Sequence, residues 1–235
     1  MKKRTIIMMM NMLIIGVVCA FANSAVTEES GCIVLMQNGE ERYITNAGID
    51  RSPTFSSCGR YIAFIRGETF SPEAMDYDAI GYGEAYSDAL MIYDIELSNE
   101  KVLYDASTTK EVLQATPEND TTPENISHII DGSLHFSPDA QRLYFLGNAW
   151  VTSYALHEID IATGERRYIV PATELNGIVS KGKFKDHLVV RDHRYFLTGG
   201  SYDWLWLITP EGSVVGAFGE NENNIDWELL ESRDD

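Results

Sequence analysis

Between Arg66 and Ala89 the chain places Glu68, Glu73, Asp76, Asp78, Glu84 and Asp88 among Tyr77, Tyr82 and Tyr86. Carboxylates steer a cationic partner and tyrosine rings give it rigid contact area, so this mixture suits a basic protein or peptide. Asp76 and Asp78, followed by Gly81 and Gly83, also suggest calcium, although the Asp-Gly-x5-Glu continuation of an EF-hand loop is missing. A merely solvated acidic loop is the plain alternative. Trp150, Tyr154, Tyr202 and Trp204 form a second candidate set, able to stack on a sugar or anchor a peptide, or else to pack between sheets.

Catalytic constellations are not apparent. The sequence contains no G-x-S-x-G, H-E-x-x-H, P-loop or G-x-G-x-x-G motif, and its five histidines are scattered at His128, His135, His157, His187 and His193. Acids are abundant enough to form a glycosidase pair about 5 to 9.5 Å apart. The stretches that read as innermost strands, Ser133–Phe136 and His187–Val190, nevertheless carry no acid. Non-catalytic binding is therefore the expectation, with a small carbohydrate-active or hydrolytic enzyme as the alternative.

The N-terminus sets the compartment in which such binding would occur. Lys2, Lys3 and Arg4 precede an apolar run from Ile6 to Val18 and then Ala20-Phe21-Ala22, the order of a cleaved signal peptide spanning residues 1–22. The run is short for a membrane span, which needs about 20 apolar residues. Removal of that segment, with three positive charges and no acids, would take the formal charge from −18 to −21. So acidic a surface repels nucleic acid and favours cationic partners. Cys32 and Cys58 remain after cleavage, and in a periplasmic or secreted protein they are either structural thiols or a single bridge.

Two hairpin patterns alternate along the rest of the chain. Phe55-Ser-Ser-Cys-Gly-Arg-Tyr-Ile-Ala-Phe64 and Phe136-Ser-Pro-Asp-Ala-Gln-Arg-Leu-Tyr-Phe145 share one pattern, with a degenerate copy at His187–Leu197. The other recurs at 33–44, 91–104, 156–169 and 205–218, each time as two short strands around a Gly or Asn turn. One hairpin of each kind makes a four-stranded meander, and meanders repeated every 40 to 65 residues or so indicate propeller blades. A β-sandwich of unrelated hairpins is the competing architecture.

The string at Phe136–Phe145, followed by Leu156-His-Glu-Ile-Asp-Ile-Ala-Thr-Gly-Glu165, resembles the WD40-like repeat of the TolB family of periplasmic β-propellers. The likeness spans most of residues 31–219 but is close only over 133–170. The earlier copy has Ser57-Cys58 in place of Pro-Asp, and the last has lost the turn. The resemblance implies an all-β fold, a small or partial propeller of about four four-stranded antiparallel blades with a binding role. The expected layout is a linker at 23–30, the propeller at 31–219, and an acidic tail at 220–235 able to add a closing strand through Ile225, Trp227 and Leu229. In such a meander the tight turns share one end. The long connections, 66–89, 106–131, 147–154, 171–183 and 198–203, share the other, where a ligand is expected.

Overall fold

The computed structural model describes residues 24–67, 88–105, 126, 128–149 and 153–232. The signal-peptide segment and Asp76, Tyr77, Asp78, Tyr82, Glu84, Tyr86 and Trp150 lie outside the described residues. The first sheet contains β1 (Ser24–Glu29), β2 (Cys32–Gln37) and β3 (Glu40–Tyr43). The second contains β4 (Asp50–Phe55), β5 (Tyr61–Arg66), β6 (Ala89–Asp94) and β7 (Asn99–Asp105). The third contains β8 (His135–Phe136), β9 (Arg142–Asn148), β10 (Tyr154–Asp160) and β11 (Arg166–Ala172). The fourth contains β12 (Glu174–Ile178), β13 (Leu188–Tyr195), β14 (Ser201–Ile208) and β15 (Val214–Gly219). Every pairing within them is antiparallel and sequential, so the described chain is a partial propeller with three four-stranded blades and one of three strands.

Side-chain alternation explains why the middle strands are apolar throughout. In β5, Ile62 and Phe64 pack toward the first sheet with Ile33 and Leu35, whereas Ala63 and Ile65 pack toward the third with Leu143 and Phe145. In β9, Tyr144 and Leu146 turn the other way, onto Leu188 and Val190 of the fourth sheet. Successive residues of a strand point to opposite faces, so a blade sandwiched between neighbours needs apolar residues at every position. Each fully buried Ile, Leu or Phe contributes about 1.5–3 kcal/mol to that stacking.

The two copies of the first hairpin pattern are equivalent in three dimensions. Ser56 Oγ accepts from Tyr61 N at 2.9 Å, and Ser137 Oγ accepts from Arg142 N at 2.9 Å. Gly59 and Ala140 occupy the same turn position, both left-handed, with φ of 76° and 55°.

Four sequence expectations are corrected. The expected linker 23–30 holds β1, whose Val26 lies across from Leu35 and packs on the first interblade cluster. Its remaining side chains are mostly exposed, hence its polar sequence. His187–Leu197 is not a hairpin. It contains the single strand β13, and the inner strand of that blade is β12, reached from β11 through Thr173 alone. The long connection expected at 171–183 is therefore absent, and residues 179–187 form a turn at the opposite end. The tail forms a 3-10 turn (Glu222–Asn224) and a short helix α1 (Trp227–Leu230) in place of a closing strand. Asp226 caps α1 by accepting from Leu229 N at 2.9 Å. The i, i+3 spacing then sets Trp227 and Leu230 against Val189, Leu205 and Leu207, and leaves Leu229 68% exposed.

Candidate binding site at the loop-bearing end

Strand order divides the connections between two ends. The β4–β5, β6–β7, β8–β9, β10–β11, β12–β13 and β14–β15 turns share one. The connections after Gly67 and Asp105, the β9–β10 and β13–β14 turns and the links between blades share the other. At the tight-turn end a cleft of about 660 Å³ opens between the second and third blades, with Asp94, Asp139 and Asp160 on its wall. Those carboxylates already accept from Arg60, from Ser137 and Gln141, and from Ala162 and Thr163, so they stabilise turns.

The loop-bearing end is organised around Arg51, whose side chain is only 4% exposed. Its Nη1 donates to Gly67 O at 2.8 Å, Nη2 to Asp88 Oδ2 at 2.8 Å and Nε to Asp131 Oδ1 at 2.7 Å. One guanidinium thus ties together the two residues that flank segment 68–87 and the chain that leads into β8. Asp88 Oδ2 also accepts from Ile129 N at 2.7 Å and lies 2.9 Å from His128 Nδ1. Burial pushes the Asp88 carboxyl up, but the contacts with His128, Arg51 and Ile129 N–H outweigh it and hold the group below its ordinary value. A Cβ at Gly67 would stand 2.2 Å from Asp88 Oδ1, so only glycine permits this approach. Beside it, Arg66 makes a two-pronged contact with Asp50 at 2.7 and 3.1 Å and reaches Glu100 at 2.9 Å. Inner strands β4 and β12 do carry acids, Asp50 and Glu174. Both pair with arginines, Glu174 with Arg191 at 3.1 Å. The sequence reading missed them because the one-residue link hid β12 and because Arg66 lies 16 residues from Asp50.

Of the expected binding residues within the description, Tyr202 and Trp204 come together and Tyr154 does not join them. Tyr154 packs in the core between the third and fourth blades. Phe196, Tyr202, Trp204 and Trp206 form a ladder with centroid separations of 4.6, 5.3 and 5.8 Å. Arg194 lies 4.3 Å over the Trp206 ring, and its Nε bonds Asp192 at 2.7 Å. Tyr202, Trp204 and Trp206 share a face because they alternate along β14, and the β13–β14 hairpin lifts the outer members beyond the core. At its tip Phe196 is 55% and Leu197 fully exposed, and Trp204 remains 37% exposed. Sequence analysis assigned Phe196 and Leu197 to a hairpin strand and so overlooked them.

Cys32 and Cys58 are free thiols, not a bridge. Cys32 follows Gly31, whose carbonyl accepts from Asp50 N at the start of β4, whereas Cys58 lies in the turn beyond the far end of β4. A six-residue strand rises roughly 20 Å, well over the 7 Å or so of Cα separation that a disulfide allows. Among the described residues no group of three or more His, Cys, Asp and Glu side chains is arranged to hold a metal ion. No described helix is long and apolar enough to cross a membrane.

No protein-family model and no curated protein matches the sequence. Among solved structures, the chain is similar to the tricorn protease, with a TM-score of 0.54 and 12% identity over 85% of this chain. It is also similar to the β-propeller domain of the Trilobed protease from Pyrococcus furiosus, described as having an open velcro topology (TM-score 0.48, 14% identity, 84% of this chain). TolB from Acinetobacter baumannii gives a TM-score of 0.43 and 9% identity over 86% of this chain. This chain covers 16%, 53% and 54% of those three proteins, respectively. At such identities the likeness is one of fold alone.

Proposed function

We propose that this protein is an exported, non-catalytic propeller, working in the periplasm or outside the cell, that binds a basic protein or peptide at its loop-bearing end. The observation that carries the reading is the aromatic ladder Phe196–Tyr202–Trp204, exposed at that end on a hairpin of the last blade. Large amphipathic rings held rigidly by their neighbours are the side chains that most often anchor a protein partner. The inner-strand acids Asp50 and Glu174 are engaged by Arg66 and Arg191, which supports binding over hydrolysis. The amino-terminal sequence supports export.

Capture of partners from a periplasmic extract by the immobilised protein tests this. Trp204→Ala should reduce capture about tenfold, as loss of an aromatic anchor does, measured at a temperature where thermal melting shows the variant still folded, since the ring also stacks on Tyr202 and Trp206. Undiminished capture by Trp204→Ala, or turnover of a glycoside panel that one carboxylate substitution abolishes, would overturn the reading.

A further inference from the structure

Among the described residues the first sheet is one strand short, and the strand it lacks is the inner one. β3 leads into inner strand β4 as β7 leads into β8 and β11 into β12, so β3 is the outermost strand of its blade. Counted inward, β1 stands where β5, β9 and β13 stand in the other blades. Those three are each paired on the axial side, with β4, β8 and β12. Among the described residues β1 is paired with β2 alone.

The β1–β2 hairpin determines which main-chain groups are left over. Ser30 and Gly31, both left-handed with φ of 52° and 71°, make a two-residue loop, so Glu29 and Cys32 exchange both of their hydrogen bonds. The next pair, Glu28 and Ile33, is then not hydrogen-bonded. Ile33 agrees: its N–H donates to Thr45 Oγ1 and its carbonyl accepts from Ile44 N, both at 2.9 Å and both on the side away from β1. By the same alternation the N–H and C=O groups of Val26 and Glu28 point away from β2, toward the axis. No described residue bonds them. The edge is open to approach, because no buried cluster joins the first sheet to the fourth, and Trp227–Leu230 is committed to α1 on the outer face of the last blade.

The charges along this edge select what can occupy it. β1 carries Glu28 and Glu29 and no basic residue. Glu28 is exposed, and with Gly31, Gly48 and Ile49 it lines a cavity of about 400 Å³ where the edge reaches the loop-bearing end. A second copy of the chain would bring another formal charge of −18 to this edge, whereas a basic segment is drawn to it. We propose that the axial edge of β1 is the docking site for an extended basic segment of the partner, which adds as the missing inner strand, antiparallel to β1. Such a strand enters from the loop-bearing end with its first residues beside Glu28. Main-chain bonds to Val26 and Glu28 hold it, and the carboxylates choose it. The proposal deepens the peptide-binding reading and rests on it, but it uses the first blade rather than the aromatic ladder of the last.

The probe is a synthetic peptide, acetyl-Lys-Arg-Thr-Val-Thr-Val-Thr-amide, titrated into the whole protein beside an analogue N-methylated at its Thr and Val residues, which keeps the charges and loses the strand donors. The parent peptide should bind at least about tenfold more tightly. At millimolar concentration it should slow amide exchange at Val26 and Glu28 by at least about tenfold, while Ala25 and Thr27, already bonded to β2, change little. Glu28→Pro removes one edge donor without touching the β1–β2 ladder and should weaken the parent peptide about tenfold. Glu28→Gln, which removes only the charge, should weaken it less. Equal binding of the two peptides, or unaltered exchange at Val26 and Glu28, would overturn the proposal. So would protection there that grows with protein concentration alone, the mark of a second copy. Partner capture that depends on Trp204 without protection at Val26 and Glu28 removes the edge site and leaves the peptide-binding reading in place. If no partner is captured at all, that reading fails on its own.

Discussion

At the scale of single residues, the most telling groups are those whose partners are distant in sequence. His157 is fully buried in β10, stacked 5.4 Å from Phe145, with Nδ1 3.1 Å from Arg166 Nη1 and Nε2 without a partner. Burial, reinforced by the Arg166 charge, pushes its pKa down to about 3. The imidazole is therefore neutral in the fold, while the unfolded chain takes up a proton below about pH 6.5. Folding stability from this residue is intact above that value and is lost as pH falls toward 3, by about 1.4 kcal/mol per unit. His157→Phe should flatten this part of the acid limb: between pH 7 and pH 4.5 its urea midpoint should fall less than that of the unaltered protein. Parallel losses would show that His157 is not the group responsible. None of this could be read from the sequence, where His157 is one of several polar residues in an alternating strand. Arg51 was equally silent, because Asp88 and Asp131 lie 37 and 80 residues away.

At the scale of elements, legibility followed local pattern. The Phe-Ser turn repeats fixed two hairpins well, since Ser56 and Ser137 bond the same relative backbone N–H. The elements that escaped were those whose identity depends on tertiary neighbours. β1 shows one inward apolar residue, β12 is interrupted by Gly177, and the C-terminal segment alternates Ile225, Trp227 and Leu229 as a strand would. Asp226 overrides that alternation by capping, and the outer face of the last blade accepts Trp227 and Leu230. The cap covers a face that would otherwise await another blade. Trp227→Ala should cost about 2–4 kcal/mol through lost burial and a residual cavity, seen as a lower urea midpoint with a gain in hydrophobic-dye binding. A midpoint within error of the original would mean that the cap contributes little to covering this face.

At the scale of the molecule, three interblade clusters and the capped outer face account for the buried clusters of the described residues, and none of them joins the first sheet to the fourth. Among the described residues the arc is not closed by packing of the first sheet on the fourth, and each blade draws stability from its immediate neighbours, as in repeat proteins. Native-state hydrogen exchange should then be slowest in β5 and β9, whose central residues are buried on both faces, and fastest in β3, whose four residues are exposed. Protection in β3 equal to that in β9 would contradict this ordering. The sequence showed that blades were present and roughly how many; it did not show whether they close, because closure depends on what the two terminal blades meet. The Arg51 clasp has a further consequence for how such a molecule can change. One buried guanidinium fixes Gly67 and Asp88, so both points at which the intervening twenty-residue sequence joins the described fold are set by the blade itself. Doubling or halving that insert alters the loop-closure entropy by only about 0.6 kcal/mol, so foreign sequences grafted between positions 67 and 88 leave the blade beneath them folded.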